Sequence, residues 1–299
     1  MKIHTIDLEF LTLPNSIAAF LVETSAGPVL IETGPHSAID RLTAGIRRCG
    51  YEPSQIRHVL LTHIHFDHAG AAWYFAKLGA QIYVHPFGYP HLQDPSRLLD
   101  SARRIYQDQM DVLWGKIEGI ADEQMQAVDN GATIQIGETT FTAWYTPGHA
   151  RHHIAWQCDD VVFTGDVAGV SINKGMVVPP CPPPDINLED WAESIALLRK
   201  LEVKAFYLTH YGEVTEMESH LQALEFALND WAQWMKKEFE AEKTLEETVP
   251  KFQAYVAGQL REYGLDEDAI KQYEAANPSW MSVAGLFRYW KKRSSKPKA

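Results

Sequence analysis

In the run Thr62-His63-Ile64-His65-Phe66-Asp67-His68, four metal-competent side chains fall within six consecutive positions. Three imidazoles this close repel one another when protonated and need several acceptors when neutral, so a fold that gathers them has to supply a shared partner. A metal ion is such a partner. Imidazole nitrogen and carboxylate oxygen at this density suit zinc, with iron or manganese as alternatives. His63 and His65 are two apart, and in extended chain they point to the same side. Asp67 and His68 stand just before an expected helix at 71–78, where a turn can aim both inward. A lone histidine is usually a hydrogen-bonded surface or core residue. That reading does not extend to a quartet.

Three further positions repeat one pattern, an apolar strand that ends on a ligand-type residue. Residues 141–145 lead into Thr146-Pro147-Gly148-His149, residues 161–164 into Gly165-Asp166, and residues 205–208 into Thr209-His210-Tyr211-Gly212. Strand ends on one edge of a sheet converge, and glycines beside them permit tight turns and close backbone approach. Singly, His149 reads as a turn histidine, Asp166 as a cap or turn acid and His210 as a surface residue. Behind the first cluster they read as a set. Tyr211, beside His210, is a candidate oxyanion donor.

The surrounding pattern is strand-rich and then helical. Apolar and β-branched runs predict strands at 3–8, 18–23, 29–32, 58–62, 81–84, 132–136, 141–145, 154–157, 161–164 and 205–208. Helices are expected at 37–49, 71–78 and 188–201. Between 86 and 129 the strand signal disappears, which predicts a helical insertion rather than core. The prolines at 179, 180 and 182–184 mark a rigid connector. From 216 to 299 the chain reads as a helical extension. Met217, Leu221, Leu224, Leu228, Trp231 and Met235 recur at steps of four and three, an apolar stripe on one face, and further helices are expected at 251–263, 266–276 and 282–291. Two strand-rich halves, each followed by a helix, fit an α+β sandwich of sheets covered by helices.

Charge narrows the partners. The 299 residues carry 39 acidic and 27 basic side chains, a net charge of −12, which argues against general nucleic-acid binding. The basic stretch from Lys291-Lys292-Arg293 to Lys298 reads as a solvated, disordered end. The three cysteines, Cys49, Cys158 and Cys181, show no paired spacing and fit a reducing compartment. No apolar run approaches the roughly 20 residues that span a bilayer, and no secretory core precedes the first strand. A cytoplasmic protein with no membrane partner is expected. The apolar C-terminal stripe would pack on the main domain or form a homodimer.

The motifs 62–68, 146–149, 164–166 and 209–210, in this order, resemble those of the metallo-β-lactamase superfamily, in its glyoxalase-II-like branch. The resemblance covers roughly residues 1–215, which would be the catalytic domain, with the insertion at 86–129 and the helical extension 216–299 packed on it. It implies an αβ/βα four-layer sandwich with the site at one edge of the two sheets. It also implies two divalent ions. His63, His65 and His149 would hold the first, Asp67, His68 and His210 the second, and Asp166 would bridge them. Glu32 and Thr33 would lie near the same edge and support the ligands. A metal-bridging hydroxide would attack an ester, thioester or lactone carbonyl, with Asp67 orienting it and taking up a proton.

The commonest class B β-lactamases carry a cysteine where this chain has Asp166, so antibiotic hydrolysis is not the expected role. No basic and tyrosine residues of a glutathione site match one by one. Two other readings are open. One is a single-iron persulfide dioxygenase of the same fold. The other is a binding or sensor protein that keeps the metals without efficient turnover. The substrate is expected to be a small acyl or aromatic molecule, because Tyr106, Met110 and Trp114 of the insertion would wall the pocket. His85 borders the pocket or belongs to the core, and His153 faces the site or caps a strand. Trp73, Trp114, Trp144 and Trp156 read as core.

Overall fold

The computed structural model describes residues 2–295. Sheet one holds, in spatial order, β1 (Lys2–Asp7), β2 (Ala18–Thr24), β3 (Gly27–Ile31), β4 (His58–Leu60), β5 (Gln81–Val84) and β6 (Met125–Ala127). Its first three strands are antiparallel, and β3 to β6 run parallel. Sheet two holds β7 (Thr133–Ile136), β8 (Thr139–Tyr145), β9 (Ile154–Cys158), β10 (Val161–Gly165), β11 (Ala205–Leu208) and β12 (Gly212–Val214), again in spatial order. Only its β10–β11 pair is parallel.

Parallel neighbours need crossovers, and helices supply them. Between β3 and β4 lies α1 (Ile39–Arg48). Between β4 and β5 lie α2 (Phe66–Ala69) and α3 (Ala72–Lys77). Next come α4 (Tyr89–Gln93), α5 (Ser96–Tyr106) and α6 (Met110–Leu113), all before β6. Between β10 and β11 lies α7 (Leu188–Lys200), and after β12 come α8 (Met217–Glu240), α9 (Leu245–Glu262), α10 (Glu267–Ala276) and α11 (Ser279–Ser294).

The period of two along each strand divides the core into three layers. In β2, Ala18, Phe20 and Val22 join Phe141, Trp156 and Phe163 between the sheets. Its alternate residues Ala19 and Leu21 pack outward with Leu42, Ile46 and Phe75 of the helices on sheet one. On the far side, Val162, Phe206 and Leu208 meet Trp191 and Leu198 of α7, Leu221 and Trp231 of α8, and Leu286 of α11. Strands covered on both faces read as continuous apolar runs. The architecture is the expected αβ/βα sandwich, with added C-terminal helices that share the outer core of sheet two.

Two expectations are corrected. The stretch 86–129 is not wholly a helical insertion outside the core. It ends in β6, which pairs with β5 through Met125, Gln126 and Ala127, and Leu92, Ala102, Met110, Trp114, Ile120 and Met125 are buried in the layer over sheet one. Alternation over only three residues is too short to stand out as a strand, and the neighbouring sheet decides the conformation. The basic stretch near the C-terminus is not a disordered end over its first part. Lys291, Lys292 and Arg293 complete α11, Lys292 donates to the Pro184 carbonyl at 2.8 Å, and Arg293 pairs with Glu189. Lys296 and Lys298 lie outside the described residues. No helix among the described residues is long and apolar enough to cross a membrane.

Candidate metal centre

Each ligand-type side chain follows a strand in the chain. Beyond β4 the segment carrying His63 and His65 leads into α2, with His65 extended at its N-cap. Asp67 and His68 therefore lie inside the single turn of that helix rather than before it. His149 follows β8, Asp166 follows β10 and His210 follows β11. Their ligand atoms form three overlapping groups, each within 4.8 Å: His63, His65 and His149; His63, His68 and Asp166; Asp67, His68 and His210.

Hydrogen bonds on the outer side of the rings decide which nitrogens face inward. The His149 Nδ1–H donates to the Pro180 carbonyl at 2.8 Å, and the His210 Nδ1–H donates to the Ser16 carbonyl at 2.7 Å. A carbonyl only accepts, so in each neutral ring the proton sits on Nδ1 and Nε2 presents a lone pair. The Thr62 hydroxyl donates to Glu32 and so accepts from His63 Nδ1–H, which leaves His63 Nε2 as a lone pair as well. His65 Nδ1 lies 3.0 Å from His63 Nε2 and 3.1 Å from His149 Nε2. A proton on His65 Nδ1 can be donated well to only one of them. A cation in their midst would be held by all three.

Asp166 spans the two ends of the site. Its Oδ2 is 3.2 Å from His149 Nε2. Its Oδ1 is 3.2 Å from His68 Nε2 and 3.5 Å from His210 Nε2. Asp67 Oδ2 is 3.7 Å from His68 Nε2 and 3.5 Å from His210 Nε2. His68 Nε2 and Asp166 Oδ1 are buried without a hydrogen-bond partner among the described residues despite this proximity. Buried polar atoms left unpaired are costly. A carboxylate oxygen and an imidazole nitrogen that offers its lone pair when neutral, flanked by further imidazole lone pairs, are what a bound cation would satisfy. The donor set therefore fits divalent metal.

The supporting groups are equally specific. His153 lies at the site without offering a ligand atom. Its Nε2 accepts the Asp166 backbone N–H at 3.1 Å, so its Nδ1–H donates to Thr146 Oγ1 at 2.8 Å. Glu32 is buried beneath the centre, with Oε1 3.3 Å from His68 Nδ1. His152 stacks against His63 at 6.1 Å and joins none of the three groups. His85 belongs to the packing, its ring 4.1 Å from that of Tyr145. Tyr211 packs its ring against the inter-sheet core, and burial first, then the charge of Asp7, raises its phenol to about 12. The phenol acted on by Asp67 belongs to Tyr106. Tyr106, expected to wall the pocket, is remote from Asp67 along the chain. The backbone carbonyls of Ser16 and Pro180 carry no sequence signal, since every residue has one.

Charge coupling in the centre is strong. Burial, then the charges of neighbouring imidazoles, hold His63 and His153 well below the usual imidazole value, and burial with His149 lowers His65 to about 3. Burial is also the main cause of the lowered values of His149 and His152. His68 and His210 move up, because the Asp166 and Asp67 carboxylates outweigh the burial that opposes them. Burial pushes Asp67 up, but His68 and His210 hold it at about 2. The five depressed imidazoles take protons in the unfolded chain near 6.5 and refuse them when folded. Their stabilisation is full above 6.5 and is lost as pH falls below it toward their lowered folded values. The two raised imidazoles act oppositely. They stabilise below 6.5 and cease to do so as pH rises through their folded values. Five outweigh two, so metal-free protein should melt at a lower temperature at pH 5 than at pH 7. Each net proton contributes about 1.4 kcal/mol per pH unit. Thermal scans in chelator check the sign, and a higher melting temperature at pH 5 would contradict it.

The profile of the Metallo-beta-lactamase superfamily matches residues 13–210, which takes in every ligand-type residue above. The chain belongs to that superfamily. Its members are mostly metal-dependent hydrolases. An archaeal metallo-beta-lactamase fold-containing protein, ST1585 of Sulfurisphaera tokodaii, is 30% identical over 57% of this chain and 67% of its own length. The crystal structure of ST1585 matches at a TM-score of 0.59 and 27% identity, covering 74% of this chain and 84% of that one. A Thermus thermophilus family protein, TTHA1429, shares the fold over 98% of this chain and 94% of its own, at a TM-score of 0.70 and 17% identity. That coverage includes the C-terminal helices. An N-acyl homoserine lactonase of a Bacillus species is 34% identical over 21% of this chain, and an atrochrysone carboxyl ACP thioesterase of Aspergillus fumigatus is 25% identical over 68% of it. This superfamily member spans only 33% of the lactonase and 53% of the thioesterase.

Proposed function

We propose that this chain is a dinuclear metal-dependent hydrolase of ester, thioester or lactone carbonyls, of the glyoxalase-II-like kind, working on a small acyl or aromatic molecule in the cytoplasm. The observation that carries the reading is Asp166. One carboxylate addresses His149 through Oδ2 and both His68 and His210 through Oδ1, which suits a bridge between two ions. His63, His65 and His149 would hold one ion, and Asp67, His68 and His210 the other. Zinc suits the imidazole-rich donor set, with iron or manganese as the alternatives. Bound there, divalent ions supply Lewis acidity and bring the pKa of water down to about 7.

The protein groups do the rest. Pro180 and Ser16 hold the His149 and His210 rings through their carbonyls, and Glu32 with Thr62 holds His63. His153 steadies Asp166 through its backbone N–H. Asp67 is the carboxylate left at the open side, its side chain 23% exposed against 4% for Asp166. A proton released during carbonyl attack can be received at the carboxylate oxygen of Asp67 that does not face His68 and His210. The lactonase and thioesterase relatives support an acyl carbonyl as the target by their names.

Metal-free and reconstituted protein should be screened against thioesters, lactones, simple esters and phosphodiesters, with metal content measured alongside. Turnover of acyl substrates that appears only with about two ions per chain, as two-metal sites require, is the expected result. Absence of any metal-dependent turnover removes the reading. One iron per chain with oxygen uptake would replace it by the dioxygenase reading.

A further inference from the structure

From Phe66, the chain neighbour of Asp67, runs a strip of aromatic side chains drawn from distant parts of the chain. Phe66, next to Asp67, has its ring 5.8 Å from that of Trp114. Tyr106 stands edge-on to Trp114 at 5.2 Å and edge-on to Trp280 at 5.8 Å. Tyr106 closes α5, whereas Trp280 and Met281 lie in the first turn of α11, Met281 being 175 residues later. The strip is half-buried at Phe66, Tyr106, Trp280 and Met281.

Polar groups within this strip are poorly matched. The Tyr106 hydroxyl has the Met281 Sδ as its partner, at 3.9 Å. A thioether is a weak acceptor, so this partner is readily exchanged for an oxygen. The indole N–H of Trp114 is buried with no partner among the described residues. Asp67 is near enough for its charge to act on the Tyr106 phenol. A purely structural aromatic cluster has no need of a hydroxyl whose partner is a sulfur or of a buried indole N–H without a partner.

We propose that Tyr106 is a substrate-contacting hydrogen-bond donor, and that Tyr106 and Trp280 form the wall receiving the apolar acyl or aromatic portion of the substrate. The inference rests on the hydrolase reading for the reaction, and it assigns α11 a part of the substrate site. In binding, Tyr106 gives up Met281 Sδ for a substrate oxygen, while the apolar chain lies along the indole of Trp280 and leaves water.

The test uses reconstituted full-length protein and p-nitrophenyl esters from acetate to decanoate, together with decanoate and acetate binding followed by tryptophan fluorescence. Wild type should prefer decanoyl, and Trp280→Ala should lower the decanoyl-to-acetyl ratio of kcat/KM by about tenfold or more, the scale of apolar pocket discrimination. Tyr106→Phe should lower kcat/KM by about tenfold, as for one hydrogen bond, with metal content and melting temperature unchanged. Decanoate binding should weaken in Trp280→Ala and survive in Trp280→Phe. Metal-dependent turnover with the same chain-length profile in wild type and Trp280→Ala overturns the wall and leaves the hydrolase. No ester turnover, with decanoate binding lost in Trp280→Ala, sinks the hydrolase reading for these esters and supports the wall. Decanoate binding equal to acetate binding in wild type overturns the wall by itself.

Discussion

Asp166→Asn is expected to lower metal-dependent turnover by about a thousandfold or more, because the several kcal/mol that metal ions contribute to a transition state are lost with them. The substitution keeps size and shape and removes the charge. In the folded chain that charge offsets His68, His149 and His210 together, and those three dominate its downward shift once burial is opposed. An amide cannot present an anionic oxygen to both clusters, so both ions should be bound more weakly, and metal analysis should show fewer than the wild type holds. Asp67→Asn offers the contrast. Asp67 touches only the group of His68 and His210, so the ion near His63, His65 and His149 should remain while turnover fails. Retention of both ions with near-normal turnover in Asp166→Asn would rule out the bridging role.

Gly148→Ala should destabilise the protein by about 2–6 kcal/mol, from roughly 1–3 of backbone strain and a similar overpacking cost. Gly148 has φ +132°, a conformation open essentially to glycine alone. A Cβ there would lie 2.4 Å from Cα of Trp191. That atom belongs to the backbone of α7 and has little freedom to yield. Asn187 caps this helix by accepting from the Glu189 and Asp190 amides, its own backbone amide donates to the Gly148 carbonyl at 2.9 Å, and the Trp191 indole donates to the Val167 carbonyl at 2.8 Å. The helix N-terminus is thus tied to the loops that present His149 and Asp166. Displacing either side should move His149 Nε2, so the variant should show both a lower melting temperature and weaker metal binding. A variant of wild-type stability would mean that α7 relaxes freely, contrary to these contacts.

Much of the architecture was legible because it rests on local rules. Apolar runs marked every strand to within a few residues except β6 and β12, which at three residues each escaped. Both are edge strands, and their conformation comes from one neighbour rather than from their own periodicity. The helical stripe of α8 was visible because one face is buried continuously against sheet two and the other is solvated. The fate of residues 86–129 was not visible. Leu92, Ala102 and Met110 have no distinctive spacing, and only the layer over sheet one makes them core.

From the sequence by itself came the chemistry: which side chains can ligate, that four of them crowd into six positions, and that the rest follow strands with glycine beside them. Only the tertiary structure decided which nitrogen of each ring faces inward, which oxygen of Asp166 addresses which histidines, and that Tyr106 meets Trp280 of α11. The reason is physical. A residue's donor atoms belong to its covalent structure and are written in the sequence. Orientation depends on partners such as the Ser16 and Pro180 carbonyls and the α11 side chains, which meet the site only after distant segments have packed.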